Sequence, residues 1–313
     1  MLRQGGYYYL FYSGNACCGR GCNYALGVAR AQDMLGPWEK APSNPILAGN
    51  AAWRCPGHGS IVTDLDGRHW LLYHAYAQKG FVATGREMLL DEVVFGSDGW
   101  PTINGGKGPS TGTAGPRTAT RQTDITQVRD DFSGAGLTPA WQWPIGRKPT
   151  ARMTGGFLTL EVGDGPATAV QSITVPSFVA ETAVDPKALS PGASAGLVVY
   201  GDRANHIALV TDGQKIQLWS EQKGQRNKVA EANAQPGAAI RLRIACIDGN
   251  RFRFALQGAG GKWMEVAGET DGSFLPPWDR GVRTGVSVIG NPGASASFDY
   301  FTAKPGDEAL FSP

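Results

Sequence analysis

No part of this chain carries a sustained helical period. Short apolar runs recur along it instead, broken by Gly, Asp and Pro. Antiparallel sheets are the way such a pattern buries its apolar side chains. The 313 residues suggest about two domains. Hydrophobic residues make up 42% and charged residues 18%, enough for real cores and too apolar for disorder. Gly 44 and Pro 20 supply the many turns that short strands need.

The runs fall into two patterns. GYYYLFYS (6–13) reads as a buried strand, YALGVARA (24–31) as a second, and a short strand lies around Trp38. GSIVTDLDGRHWLLYHAY reads as two strands about an Asp66-Gly67 turn, a strong hairpin signal. REMLLDEVVF (86–95) and an edge piece after a second Asp-Gly turn complete about seven strands in residues 1–103. Two four-stranded sheets in succession suit propeller blades better than a closed barrel. Residues 104–127, rich in Gly, Ser, Thr and Pro, read as a linker. In residues 128–313, short, often alternating runs recur every 8 to 15 residues, as in a β-sandwich. The tryptophans at 141, 143, 219, 263 and 278 are expected in its core.

The net charge is +2 and no Lys/Arg run stands out, so neither nucleic acid nor an anionic membrane is expected as a partner. No apolar run approaches the roughly 18 residues of a membrane helix. The N-terminal MLRQGGYYYLFYSGN reads as a strand, not a signal peptide. Five cysteines, an odd number, stand at 17, 18, 22, 55 and 246. Cys246, in IRLRIACI, is expected to be a buried thiol. Cys17, Cys18, Cys22 and Cys55 could hold zinc, but they lack paired C-x2–4-C knuckles. A loop disulfide, with Cys55 paired to one of the other three, is the better reading and suits an exported protein.

The stretch that looks functional is Ala52 to Glu92. His58 lies between two glycines and Arg86 opens a strand, which is how a β scaffold presents polar groups to a pocket. His58 reads either as a ligand or as a hydrogen-bonded structural histidine. Arg86 reads as a pocket residue or as a partner for Glu87 or Asp91. Trp53 reads as a stacking platform for a sugar ring or as packing between sheets. Asp64 and Asp66 bracket a turn and need no chemistry. Adjacent strand residues face opposite ways, so Glu87 and Asp91 turn away from a pocket that Arg86 faces. No carboxylate of this chain is assigned to catalysis.

GGYYYLFYSG (5–14), YALGVARA…GPWEK (24–40), PGHGSIVTDLDGRHWLLYHAY (56–76) and GREMLLDEVVF (85–95) resemble, in order and spacing, the C-terminal part of the five-bladed propeller of glycoside hydrolase family 43. GLVVYGD (196–202), KIQLW (215–219) and DGSFLPPWDRGVRTG (271–285) resemble the concanavalin-A-like jelly roll that follows that propeller in β-xylosidases. The resemblance implies an all-β chain: about two blades of a partial propeller, then a sandwich. It implies inverting hydrolysis of xylo- or arabino-oligosaccharides, by a β-xylosidase or α-L-arabinofuranosidase. It gives His58 a place on the propeller axis, as a ligand of Ca²⁺ or Na⁺ beside the substrate, and turns Arg86 into the sugar pocket. It implies a sandwich loop reaching over that pocket, with Phe274 and Trp278 in the loop-like run here.

The family's general-acid Glu precedes the GYYYLFYS strand, and its base Asp lies earlier still, so both are expected upstream of Met1. The chain is therefore expected to be a fragment of a secreted or periplasmic enzyme, inactive alone, and to self-associate through open propeller edges. The competing reading is a non-catalytic, lectin-like carbohydrate-binding protein. A third is a truncated product with no independent function.

Overall fold

A computed structural model describes residues 1–117, 126–235, 239–276 and 281–306. The described residues form two units, one of residues 1–81 and 85–117 and the other of residues 82–84, 126–235, 239–276 and 281–306. Among the described residues every strand pairing is antiparallel, and helix is limited to one turn, Phe81–Thr84, and three 3-10 turns.

The first unit holds two four-stranded sheets. One is β1 (Leu2–Gln4), β2 (Tyr7–Gly14), β3 (Ala25–Ala31) and β4 (Glu39–Lys40). The other is β5 (Trp53–Thr63), β6 (His69–Ala77), β7 (Arg86–Phe95) and β8 (Pro101–Ile103). Each runs in sequence order, as a propeller blade does. The turns are built as their residues require. Gly67 (φ 80°) and Gly99 (φ 76°) take the left-handed positions after Asp66 and Asp98. The carboxylate of Asp64 accepts the N–H groups of Asp66 and Arg68, and that of Asp98 accepts from Trp100. Alternation then sends Tyr9, Val28, Leu71, Tyr73 and Ile103 into one core shared by both sheets.

Within that unit Asp91 is buried, 2% exposed. Its carboxylate accepts the Tyr73 hydroxyl at 2.6 Å and the Ser110 N–H at 3.1 Å. Burial first, and then this carboxylate, push the Tyr73 phenol above its ordinary value. The segment expected to be a linker is therefore anchored at its start. Asn50 Nδ2 donates to the carbonyls of Lys107 and Pro109, and the Trp53 indole N–H to that of Ser110.

The second unit is a sandwich of two sheets. Its strands are β9 (Val128–Asp130), β10 (Thr150–Thr154), β11 (Phe157–Glu161), β12 (Ala167–Ser172), β13 (Phe178–Asp185), β14 (Ser194–Asp202), β15 (Asn205–Thr211), β16 (Lys215–Gln222), β17 (Gln225–Asn233), β18 (Ile240–Ile247), β19 (Arg251–Gln257), β20 (Trp263–Asp271), β21 (Arg283–Ile289) and β22 (Ser295–Pro305). One sheet is ordered β10-β11-β22-β13-β18-β19-β20, with β9 on β22, and the other β12-β21-β14-β15-β16-β17. Leu197, Leu209, Leu218, Val286, Ile244, Phe254 and Phe298 are fully buried. Cys246 is buried and unpaired, as expected, and burial pushes its thiol far up.

The tryptophan expectation needs correction. Trp141 is core, 2% exposed, but Trp143, Trp219 and Trp263 are only half-buried. Cations cover them: Lys148 lies 5.0 Å from the Trp143 ring, Arg226 4.2 Å from Trp219 and Arg243 3.9 Å from Trp263. Trp278 lies outside the described residues.

Asp91→Ala leaves the buried Tyr73 hydroxyl without its acceptor and should cost about 2–4 kcal/mol. Chemical denaturation checks this. Asp91→Asn, which keeps an acceptor, should cost less.

Candidate functional site

The site grows from irregularities in β5. Its pairing with β6 slips twice, between Arg54 and Gly57 and between Gly57 and Ser60. Cys55 (φ 56°) and His58 (φ 55°) both adopt left-handed backbone, unusual for residues with a Cβ. Each is held. Cys55 forms a disulfide with Cys22, and the His58 N–H donates to Ser13 Oγ at 2.8 Å. Gly57 is a glycine for a steric reason: a Cβ there would stand 2.3 Å from the Tyr24 ring.

The opened strand leaves room for rings. His74, opposite Gly57 on β6, lies nearly parallel to Tyr24 (centroids 6.1 Å apart, 25°) and to His58 (6.0 Å, 24°). Arg86, at the mouth of β7, donates from Nη1 to His74 Nε2 at 3.2 Å. A guanidinium can only donate, so Nε2 accepts and the proton sits on Nδ1. Burial first, then the charges of Arg86 and His58, lower the His74 pKa to about 4, so the ring is neutral at ordinary pH. Nδ1 is buried with no hydrogen-bond partner among the described residues.

Arg86 pairs with no carboxylate among the described residues, which removes the salt-bridge reading. Asp91 is committed to Tyr73, and Arg68 grips Glu92 through two 2.9 Å bonds. Asp64 is lowered, first by the Trp70 indole and further by turn N–H groups. Arg86 Nη1 also lies 3.7 Å from Cys18 Sγ, and its buried Nε has no partner among the described residues. The result is a half-buried cation held by a neutral ring, with donors left for a carboxylate or a pair of adjacent hydroxyls.

The expected bridge from Cys55 to a loop cysteine is present, and a second bridge accompanies it. Cys17 bonds its neighbour Cys18, and Cys22 bonds Cys55. All four are committed, so no thiolate remains in that loop for zinc. Trp53 is half-buried and donates its indole N–H to the Ser110 carbonyl, and among the described residues it makes no ring contact with His58 or His74. His74 and Tyr24 escaped the sequence reading. The available signal was a histidine in the alternating face Trp70, Leu72, His74, Tyr76, where an apolar residue is the default.

The same group tests the expected cation. Ca²⁺ takes six to eight oxygen ligands. The described residues hold no cluster of three His, Cys, Asp or Glu, and Arg86, in contact with His74, is positive. These residues by themselves do not fit Ca²⁺ or Na⁺, and no step below depends on one.

Comparison with known proteins identifies this assembly. The sequence profile "Glycosyl hydrolases family 43" matches residues 1–101, and "Beta xylosidase C-terminal Concanavalin A-like domain" matches residues 129–304. The chain belongs to glycoside hydrolase family 43, with a propeller portion followed by the concanavalin-A-like sandwich. It is 25% identical over 335 residues to a non-reducing end α-L-arabinofuranosidase of Bacteroides ovatus, covering 96% of this chain and 61% of that one. It is 25% identical over 364 residues to a putative β-xylosidase of Escherichia coli, covering 97% and 65% respectively. Among solved structures it resembles the family 43 protein BlXynB of Bacillus licheniformis (TM-score 0.82, 26% identity), covering 97% of this chain and 64% of that one. The chain thus spans less than two thirds of the relatives it matches.

Depression of the His74 pKa ties stability to pH. The unfolded ring binds its proton near pH 6.5 and the folded ring only near 4. Below 6.5 the unfolded state therefore holds more protons, and stability falls as pH drops from about 6.5 to about 4. Because the ring is only half-buried, solvent screening holds this to about 1–2 kcal/mol. Denaturation midpoints across that range should show the loss, and His74→Gln should flatten it.

Proposed function

We propose that this chain forms part of an inverting glycosidase acting on oligosaccharides from xylan or arabinan, as a β-xylosidase or α-L-arabinofuranosidase. The observation that carries the reading is Arg86: a half-buried guanidinium, positioned by neutral His74 and lacking a carboxylate partner among the described residues. Such a group suits two adjacent sugar hydroxyls. His58 stands beside His74, on backbone between Gly57 and Gly59.

Inversion requires an acid and a base carboxylate about 6.5–9.5 Å apart. In this reading neither comes from residues 1–313. Asp64, Asp91 and Glu92 are engaged in turns or internal pairs. The chain's part is to bind and orient the sugar. A cation beside His58, if one is held, would take its remaining ligands from outside this group. Two disulfides suit export to an oxidising compartment.

The test has two arms. The 313-residue chain should give no turnover of nitrophenyl β-xyloside or α-L-arabinofuranoside; measurable turnover contradicts the carboxylate assignment. It should bind neutral xylo- or arabino-oligosaccharide, and Arg86→Ala should weaken that binding about tenfold or more. Binding indifferent to Arg86 removes the pocket.

Self-association is part of the proposal. Val62 (57% exposed), Leu72 (41%) and Met88 (76%) are exposed apolar side chains on one face of the β5–β8 sheet. Sedimentation should show concentration-dependent association, reduced by Leu72→Lys with Met88→Lys.

A further inference from the structure

The six-stranded sheet of the sandwich has two apolar faces. One enters the core. The other carries a separate cluster, Val170, Val198, Tyr200, Ala208 and Val210, with Trp219 and Ile289 packed against it. The cluster is itself buried, with Tyr200 its most exposed member at 7%. It floors a cavity of about 420 Å³, whose lining includes Val198, Tyr200 and Ala208. That volume suits one or two sugar rings, within the usual range for small-molecule sites.

The walls are polar and positive. Arg147 is paired with Asp164 at 3.2 Å, and Glu221 lies 3.7 Å from His206. Arg203 and Arg226 also line the cavity, and neither pairs with a carboxylate among the described residues. Arg226 is held over the Trp219 ring at 4.2 Å, so its planar fork is partly ordered before anything binds. Thr168 and Ser287, hydrogen-bonded to each other at 2.8 Å, offer neutral hydroxyls at the other side of the floor. An apolar floor fits the C–H face of a sugar ring, hydroxyls fit its hydroxyls, and two unpaired guanidinium groups fit a carboxylate.

We infer that this groove on the sandwich is a second saccharide site, specific for an acidic sugar whose carboxylate is taken by Arg203 and Arg226. The saccharide class rests on the function proposed above; the preference for a carboxylate rests on the groove itself. The site binds without cleaving, and would hold the chain on polysaccharide carrying uronic acid side groups.

The test is calorimetry on the full chain with three ligands: xylotriose bearing one glucuronic acid, the same compound with its carboxyl reduced to the alcohol, and plain xylotriose. The acidic ligand should bind about tenfold or more tightly than the reduced one, as loss of a charge-assisted contact implies. Arg203→Ala with Arg226→Ala should bring the acidic ligand down to the level of the reduced one. Both arginines are exposed, so the double variant should keep the parent's melting temperature. Arg86→Ala should leave the acidic preference intact.

Equal affinity for the acidic and reduced ligands, no binding of the acidic ligand, or an acidic preference that survives the double substitution overturns the inference. A preference lost in Arg86→Ala and kept in the double variant also overturns it, while leaving the proposed function standing. Failure of that function shows separately, as xylotriose binding indifferent to Arg86.

Discussion

The first unit depends on one unusual contact, a guanidinium donating to a neutral imidazole. Arginine inside a protein normally meets a carboxylate, and its charge is then spent. Here Arg86 meets His74 Nε2, which positions it without neutralising it. The arrangement is self-consistent. Burial and the charge of Arg86 both keep His74 unprotonated, and an unprotonated His74 is what can accept from Arg86.

The rest of the sheet makes room for that contact. Two slips in the β5–β6 pairing, a glycine under Tyr24, and ties at Cys55 and His58 turn a regular hairpin into a strand that holds rings side by side. Local regularity is given up where the polar group must stand, and neighbouring strands fix what remains. The second unit uses a related device. Its six-stranded sheet carries a separate buried apolar cluster beside a cavity lined by arginines.

Much of this fold was legible because its signals are local. The Asp66-Gly67 and Asp98-Gly99 turns define their hairpins through backbone chemistry within four residues. Alternation predicted two successive four-stranded sheets, although β1 made the strands eight rather than seven. His58 and Arg86 stood out beside their glycines. His74 did not, because its importance comes from pairing opposite Gly57 and packing on Tyr24, some 50 residues away in sequence, an arrangement only the folded sheet creates. The tryptophans show the opposite error. Ile216 and Leu218 point inward, so alternation already turned Trp219 outward, and its size was allowed to outweigh its position. The cysteine pairing lay beyond sequence, since spacing does not say that Cys17 bonds its own neighbour.

Glycoside hydrolase family 43 supplies the frame, and within it this chain holds Arg86 as a cation kept available. That claim is tested most directly by a nitrogen-15 NMR titration of the His74 ring. The account predicts a neutral ring protonated on Nδ1, with Nε2 accepting, that gains its second proton only near pH 4. A midpoint at the ordinary value of 6.5, or a neutral ring carrying its proton on Nε2, would contradict it.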